Sequence, residues 1–271
     1  MSARRPILQQ MCVRTWRLSR EIAPARGWWN GDPVASAWHT ALSASFPRGE
    51  AYFIESLRAF AEDTPAELQA PVAQFIAQEA NHSREHIAFN RLVGSAGFDL
   101  KKIDARLARF IEDNRSAYRL INLVATCALE HFTAILAHDL LARPEALAGT
   151  DPQIAALWQW HAAEEIEHKA VAYDLWRHAA APLAPRRRYM IRCLVMLKVT
   201  RNFLRERWRD THELMAQQGL DGWRARWALL RYLAGPGGVL RRVGPAWAGW
   251  FRPGFHPWDV DDRALIPPHL R

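Results

Sequence analysis

The sequence predicts an all-α protein, and three observations carry that expectation. Apolar residues recur at helical spacing, while sustained alternation and Asn-Gly or Asp-Gly hairpins between β-rich runs are missing. Asp-Pro and Thr-Pro pairs and glycines punctuate the chain where helices should start and stop. The pattern Glu-x-x-His occurs twice, as Glu79/His82 and Glu165/His168, on two different predicted helices. Two such pairs, plus one Glu from each of two further helices, form the ligand set of a dinuclear metal site inside a four-helix bundle. Glu50 and Glu130 fall in the order that architecture needs.

Asp32-Pro33 opens a short helix over 33–46, a cap followed by proline at the first position. Phe46-Pro47-Arg48-Gly49 interrupts it, and a second helix runs over 50–61. Thr64 or Asp63 caps a long helix over 66–93, which Gly94 and Gly97 end. A third long helix covers 105–142 and stops near Pro144. Thr150-Asp151-Pro152 caps a fourth over 152–180, ended by Pro182 and Pro185. Beyond lie helices over 189–214 and 222–233, then an irregular Gly-, Pro- and Trp-rich stretch. Short connections imply antiparallel neighbours. Residues 1–185 read as the metal-binding bundle, with additional N- and C-terminal helices around it. Residues 186–271 read as a basic, Trp-rich extension packed on it.

Nearly half the residues are hydrophobic, which supports a sizeable core and argues against disorder. Cys12, Cys127 and Cys193 are widely spaced and read as buried small residues in a reducing compartment. No secretory leader and no uncharged run of 18 or more apolar residues is recognisable, so a cytoplasmic protein is expected. Residues 181–271 carry 17 Lys and Arg against 7 Asp and Glu, whereas residues 1–180 carry 19 against 21. An anionic partner would therefore meet the C-terminal third.

On a helix, Glu79, His82 and His86 fall within about 60° of one another, as do His161, Glu165 and His168. Each triplet is one stripe. His86 is left open as an extra ligand, a group behind the ligands or a surface residue. Glu130 sits in an almost uniformly apolar helix, where a carboxylate is costly unless paired or bound to a cation. Glu164, Glu167, Glu55, Glu62 and Glu85 are expected to be solvated or salt-bridged, and His131 to be a neighbour of the site. Four carboxylates with two or three imidazoles and no thiolate suit iron or manganese, with zinc as an alternative.

The phrases Phe46-Pro47-Arg48-Gly49-Glu50-Ala51-Tyr52-Phe53, Gln78-Glu79-Ala80-Asn81-His82-Ser83-Arg84-Glu85-His86 and His161-x-x-x-Glu165-Ile166-Glu167-His168-Lys169 resemble the bacterial family called predicted metal-dependent hydrolase. The ligand order resembles the ferritin-like di-iron carboxylate superfamily. The likeness covers about residues 5–235. His161, one turn before Glu165, is similar to the extra histidine ligand of the arylamine N-oxygenases. The resemblance implies seven ligands, Glu50, Glu79, His82, Glu130, His161, Glu165 and His168, with Glu79 or Glu165 or both bridging two ions. It implies a di-iron enzyme that takes electrons from a donor and activates dioxygen to oxidise a small organic substrate; the substrate is hydrophobic if the basic C-terminal region meets lipid. The alternative is a hydrolase using a metal-bridging hydroxide. A third is a metal- or lipid-associated binding protein without turnover. No G-x-S-x-G elbow or P-loop offers another chemistry.

Arg186, Arg187 and Arg188 open a helix that reads as basic and amphipathic, with Arg192, Lys198, Arg201, Arg205, Arg207 and Arg209 on its polar face. Trp208, Trp223 and Trp227 add amphipathic rings. Three readings compete: a solvated basic face, peripheral contact with anionic membrane, and nucleic acid, the last without a motif. A homodimer is also compatible with the sequence.

Overall fold

The structure, a computed structural model, describes residues 11–271. The first ten residues of the predicted bundle, with the stretch read for a leader, lie outside the described residues. Nine α-helices and several short 3-10 turns make up the described chain, so the class is all-α as expected. They are α1 (Pro33–Arg58), α2 (Ala66–Ser95), α3 (Lys101–Asn114), α4 (Arg119–Leu141), α5 (Pro152–His168), α6 (Val171–Ala179), α7 (Pro185–Ala216), α8 (Gly222–Ala234) and α9 (Val239–Gly249).

Asp32 caps α1 by accepting from the amides of Val34 and Ala35 at 2.8 and 3.1 Å. Asp151 caps α5 in the same way. The cap predicted for α2 does not form. Pro65 occupies that position, and the Thr64 hydroxyl turns back to the carbonyl of Phe60.

The two predicted helices at 33–46 and 50–61 are one, so no separate helix precedes the bundle among the described residues. Pro47 lies inside α1, where it deprives the carbonyl of Ser43 of its i→i−4 partner. The side-chain amide of Asn90 replaces it, donating to that carbonyl at 3.0 Å. Conversely, the helix predicted over 105–142 is two. Asn122 binds the backbone of Ser116 with both ends of its amide, at 2.8 and 2.9 Å, and so replaces helical bonding there. The helix predicted over 152–180 also breaks, at Lys169 and Ala170, where the Lys169 ammonium binds the carbonyl of Val260 and the carboxylate of Asp262. Part of the stretch expected to be irregular is helical, as α9.

Helix α1 packs on α2 and α4, and α5 packs on α4 and α2, which closes a ring of four. Two apolar clusters fill it. Along α2, Leu68, Val72 and Phe75 belong to one, Phe89 and Val93 to the other, and Glu79, His82 and His86 fall between them. The extension is part of this core: Met196, Val243 and Trp250 join one cluster, Leu214, Met215 and Leu229 the other. Helix α4 is long and apolar enough by composition to cross a membrane, but most of it is buried between its neighbours here.

The basic helix departs from its expected amphipathy. Arg192 and Arg207 are buried; Arg207 pairs with Asp210 at 2.6 Å, and Arg192 binds the carbonyl of Arg252. Met190, Leu194 and Leu197 on α7 are exposed instead, as are Trp223, Trp227 and Leu230 on α8. Of the cysteines only Cys127 is buried; Cys12 is exposed and Cys193 half-buried, because neither lies on a packed helix face.

Candidate metal centre

Glu50 from α1, Glu79 and His82 from α2, Glu130 from α4, and His161, Glu165 and His168 from α5 all point into the space between the two apolar clusters. None is more than 4 % exposed. Two triplets stand out, Glu50/His82/His161 and Glu79/Glu165/His168, each with ligand atoms within 4.8 Å of one another. Glu165 reaches both. Its Oε1 lies 2.9 Å from His161 Nε2 and 3.6 Å from His82 Nδ1, and its Oε2 lies 3.4 Å from His168 Nε2. Glu79 does the same, with Oε1 3.2 Å from His168 Nε2 and Oε2 3.8 Å from His82 Nδ1. Glu130 Oε2 approaches His168 Nε2 at 3.3 Å.

Eight buried polar atoms of this cluster have no hydrogen-bond partner: Glu50 Oε1, both oxygens of Glu79 and of Glu130, Glu165 Oε2, His82 Nδ1 and His168 Nε2. Such orphans are rare in a folded interior and costly. Their convergence on one point is what a cation would satisfy, so the residues fit a metal. Without one, the carboxylates cannot all stay ionised. Burial, then Glu165 and Glu79, push the Glu130 carboxyl up to about 8. Burial and Glu79 likewise hold Glu50 well above the usual range.

The imidazoles are aimed by partners behind them. Gln78 donates its amide to the carbonyl of Cys12 and to Glu167, so its Oε1 is left to accept from His168 Nδ1 at 3.1 Å. That leaves His168 Nε2 as the lone pair facing the cluster. His82 Nε2 donates to Glu164 Oε2 at 3.0 Å, which leaves Nδ1. Glu164 is buried, and Trp160 Nε1 and the amide of Arg14 also donate to it. Burial would raise its carboxyl, but His82 and Arg14 outweigh that and hold it below the ordinary value. Burial alone would lower His82; the hydrogen bond to Glu164 and the nearby carboxylate of Glu79 prevail and raise it to about 10, so a metal would have to displace a proton there.

The third imidazole is fixed by the proline in α1. The amide that Asn90 gives to the Ser43 carbonyl orients its Oδ1 to accept from Ser43 Oγ at 2.7 Å. Ser43 Oγ must then accept from His86 Nδ1, at 2.8 Å. His86 Nε2 is thereby an acceptor and takes the proton of His161 Nδ1 at 2.7 Å. His161 Nε2 faces the cluster, within hydrogen-bonding distance of Glu165 Oε1 at 2.9 Å, and is the nitrogen a metal would take. Of the three roles open for His86, the structure places it behind His161.

Glu164, Gln78, Ser43 and Asn90 were not legible as functional. Glu164 is salt-bridged, to Arg14 at 3.4 Å, as one of its two expectations has it, but it is buried and its other oxygen backs His82. Glu85 is likewise buried, paired with Arg84 and Arg20. Glu167 pairs with Arg14, Glu55 with Arg115, and Glu62 is exposed, as expected. His131 bonds the carbonyl of Ala246 and stays outside the cluster.

On the opposite side, a cavity of about 780 Å³ reaches Glu50, His161 and Glu165. Fold and site together define a helical protein with a buried carboxylate–histidine cluster suited to metal. A family model described as predicted metal-dependent hydrolase matches residues 13–261, and the chain belongs to that family. Comparison with curated proteins and with solved structures returns no match.

Proposed function

We propose that the chain is a metal-dependent hydrolase whose seven clustered residues hold two dications. The convergence of eight unpartnered buried atoms carries this reading, and the family's description supports the reaction class. Glu79 and Glu165, whose oxygens face both triplets, would help hold the ions. Glu50, His82 and His161 would complete one ion's ligands, Glu130 and His168 the other's. When bound, the ions would supply Lewis acidity and a water acidic enough to attack a carbonyl at neutral pH. The chain's own residues fix the inward-facing nitrogens, keep bulk water away through the surrounding apolar walls, and leave the Glu50–His161–Glu165 edge open to a substrate.

A second reading, oxidation of the substrate with dioxygen, is favoured by the donor set itself. Carboxylate-rich ligands with imidazoles and no thiolate match iron or manganese better than structural zinc.

Elemental analysis of the purified protein, followed by ester and amide hydrolysis assays and by stopped-flow absorption of reduced protein mixed with oxygen, separates these. Hydrolysis retained with zinc or manganese and no optical transient supports the first. A transient that decays faster with substrate supports the second. Absence of bound metal after reconstitution overturns both.

A further inference from the structure

The cavity beside the cluster is elongated. On α4 its wall runs from Ile121 to Leu140, nineteen residues or about 28 Å at helical rise. Glu130 lies near the middle of that span, so the Glu50–His161–Glu165 edge meets the slot partway along and leaves an arm on each side. The walls are apolar: Phe53, Leu129, Phe132, Leu136 and Phe203 among them. Its volume falls within the roughly 300–1,000 Å³ of pockets that enclose small ligands.

The charged groups on its walls are mostly spoken for. Asp139 is bound by Arg143 and Arg242, Arg207 by Asp210, and Glu206 by Arg205; Asp32 caps α1. The exceptions are Lys198 on α7 and Arg231 on α8, both exposed and both without an ion-pair partner among the described residues. An apolar slot with unpaired cations at its surface suits a molecule with the same division.

We infer that this cavity binds a long-chain amphiphile, an unbranched apolar chain with an anionic head, whose chain extends to both sides of the Glu50–His161–Glu165 edge. The inference rests on the proposed metal centre for its chemistry but not for its binding. It gives the substrate a reacting position along the chain or at an internal ester, with apolar groups on either side, and excludes small polar esters as the natural substrate class.

The full chain is titrated with oleate, dodecyl phosphate, oleyl alcohol and hexanoate by calorimetry, and bound metal is measured in the same samples. Oleate or dodecyl phosphate should bind far more tightly than hexanoate, and whichever binds more tightly identifies a carboxylate or a phosphate head. Leu136→Trp, which fills one arm, and Ala125→Phe, which fills the other, should each weaken oleate by about tenfold or more with unchanged circular dichroism and metal content. Two fillings guard against one variant failing to fold. Removing both cations, in Lys198→Ala/Arg231→Ala, should weaken oleate about three- to tenfold and leave oleyl alcohol unchanged. Protein that binds oleate but no metal breaks the proposed function and leaves this inference standing. Protein that holds metal but binds neither long-chain anion overturns the inference, as does hexanoate binding as tightly as oleate. Oleyl alcohol bound as tightly as oleate removes the anionic head from it.

Discussion

The two sides of the carboxylate cluster are built from opposite materials. Toward the segment around Arg14 and the far faces of α2 and α5, Gln78, Glu164, His86, Ser43 and Asn90 form hydrogen-bonded chains that end on the three imidazoles. Toward α4 and α7, the same cluster meets an apolar slot. Histidine basicity follows each ring's own partners rather than the side it lies on: within the network His86 is held well below its ordinary value, chiefly by burial. On the same side His82 is raised to about 10 against the effect of burial, by Glu164 and Glu79. On the slot side His39 is lowered to about 3, chiefly by burial. One side orients imidazoles and the other is an apolar slot. An interior can hold many charges if polar support is confined to one flank.

The largest expected effect breaks the cluster itself. Glu130→Ala should abolish stoichiometric metal binding by elemental analysis; full retention would remove Glu130 from the ligand set. In chelator-treated protein the same change should raise the melting temperature, because a buried carboxylate without a partner is gone. Next comes the networked flank. Glu164→Leu or Gln78→Leu should weaken metal binding by about 10- to 100-fold in competition with a chromophoric chelator, with the helical circular dichroism intact. If both bind metal normally, the network is packing and the asymmetry has no functional content.

Pro47→Ala probes the longest chain of partners. It returns an amide to the Ser43 carbonyl, which then competes with Asn90. The helix should gain about 1 kcal/mol or more, read from denaturant unfolding, while His161 loses its fixed orientation and metal affinity falls by less than tenfold. Gained stability with unchanged affinity would detach His161 from the proline.

A further contrast lies in pH. For His39 the folded value, about 3, lies below the ordinary 6.5. Its contribution is therefore complete above pH 6.5 and is lost as acid drives protonation of the unfolded chain. For His82 the folded value, about 10, lies above. In metal-free protein its contribution is complete below pH 6.5 and is lost as the pH rises toward 10. Chelator-treated protein should lose stability at both extremes in urea titrations. Loaded protein should lose the alkaline limb, since the ion has replaced that proton.

Much of this was legible in the sequence because the cluster obeys helical arithmetic. Glu79/His82 and His161/Glu165/His168 could be placed on common faces from spacing alone, and Glu130 stood out as one charge in an apolar helix. The supports were not legible, since Ser43, Gln78, Asn90 and Glu164 act through contacts between distant helices that spacing does not encode. Helix ends failed for related reasons. Pro47 reads as a break unless Asn90 is known to bind the freed carbonyl, and residues 115–118 read as helix unless Asn122 is known to capture Ser116. In α7 the buried Arg192 and Arg207 inverted a pattern that charge alone assigned to solvent.

The contacts that lock α5 from behind come from opposite ends of the described chain. Arg14 binds Glu164, Glu167 and the carbonyl of Leu270. Asp262 binds both Lys169, just after His168, and His138 on α4. A chain emerging from the ribosome has all seven cluster residues available by position 168, yet this brace arrives only about ninety residues later. Late, sequence-distant closure of this kind slows folding and exposes a half-built interior to misassembly in the interval. A strongly acidic, unsatisfied cluster would thus exist before its brace does, and its maturation becomes a matter of timing between synthesis and metal delivery.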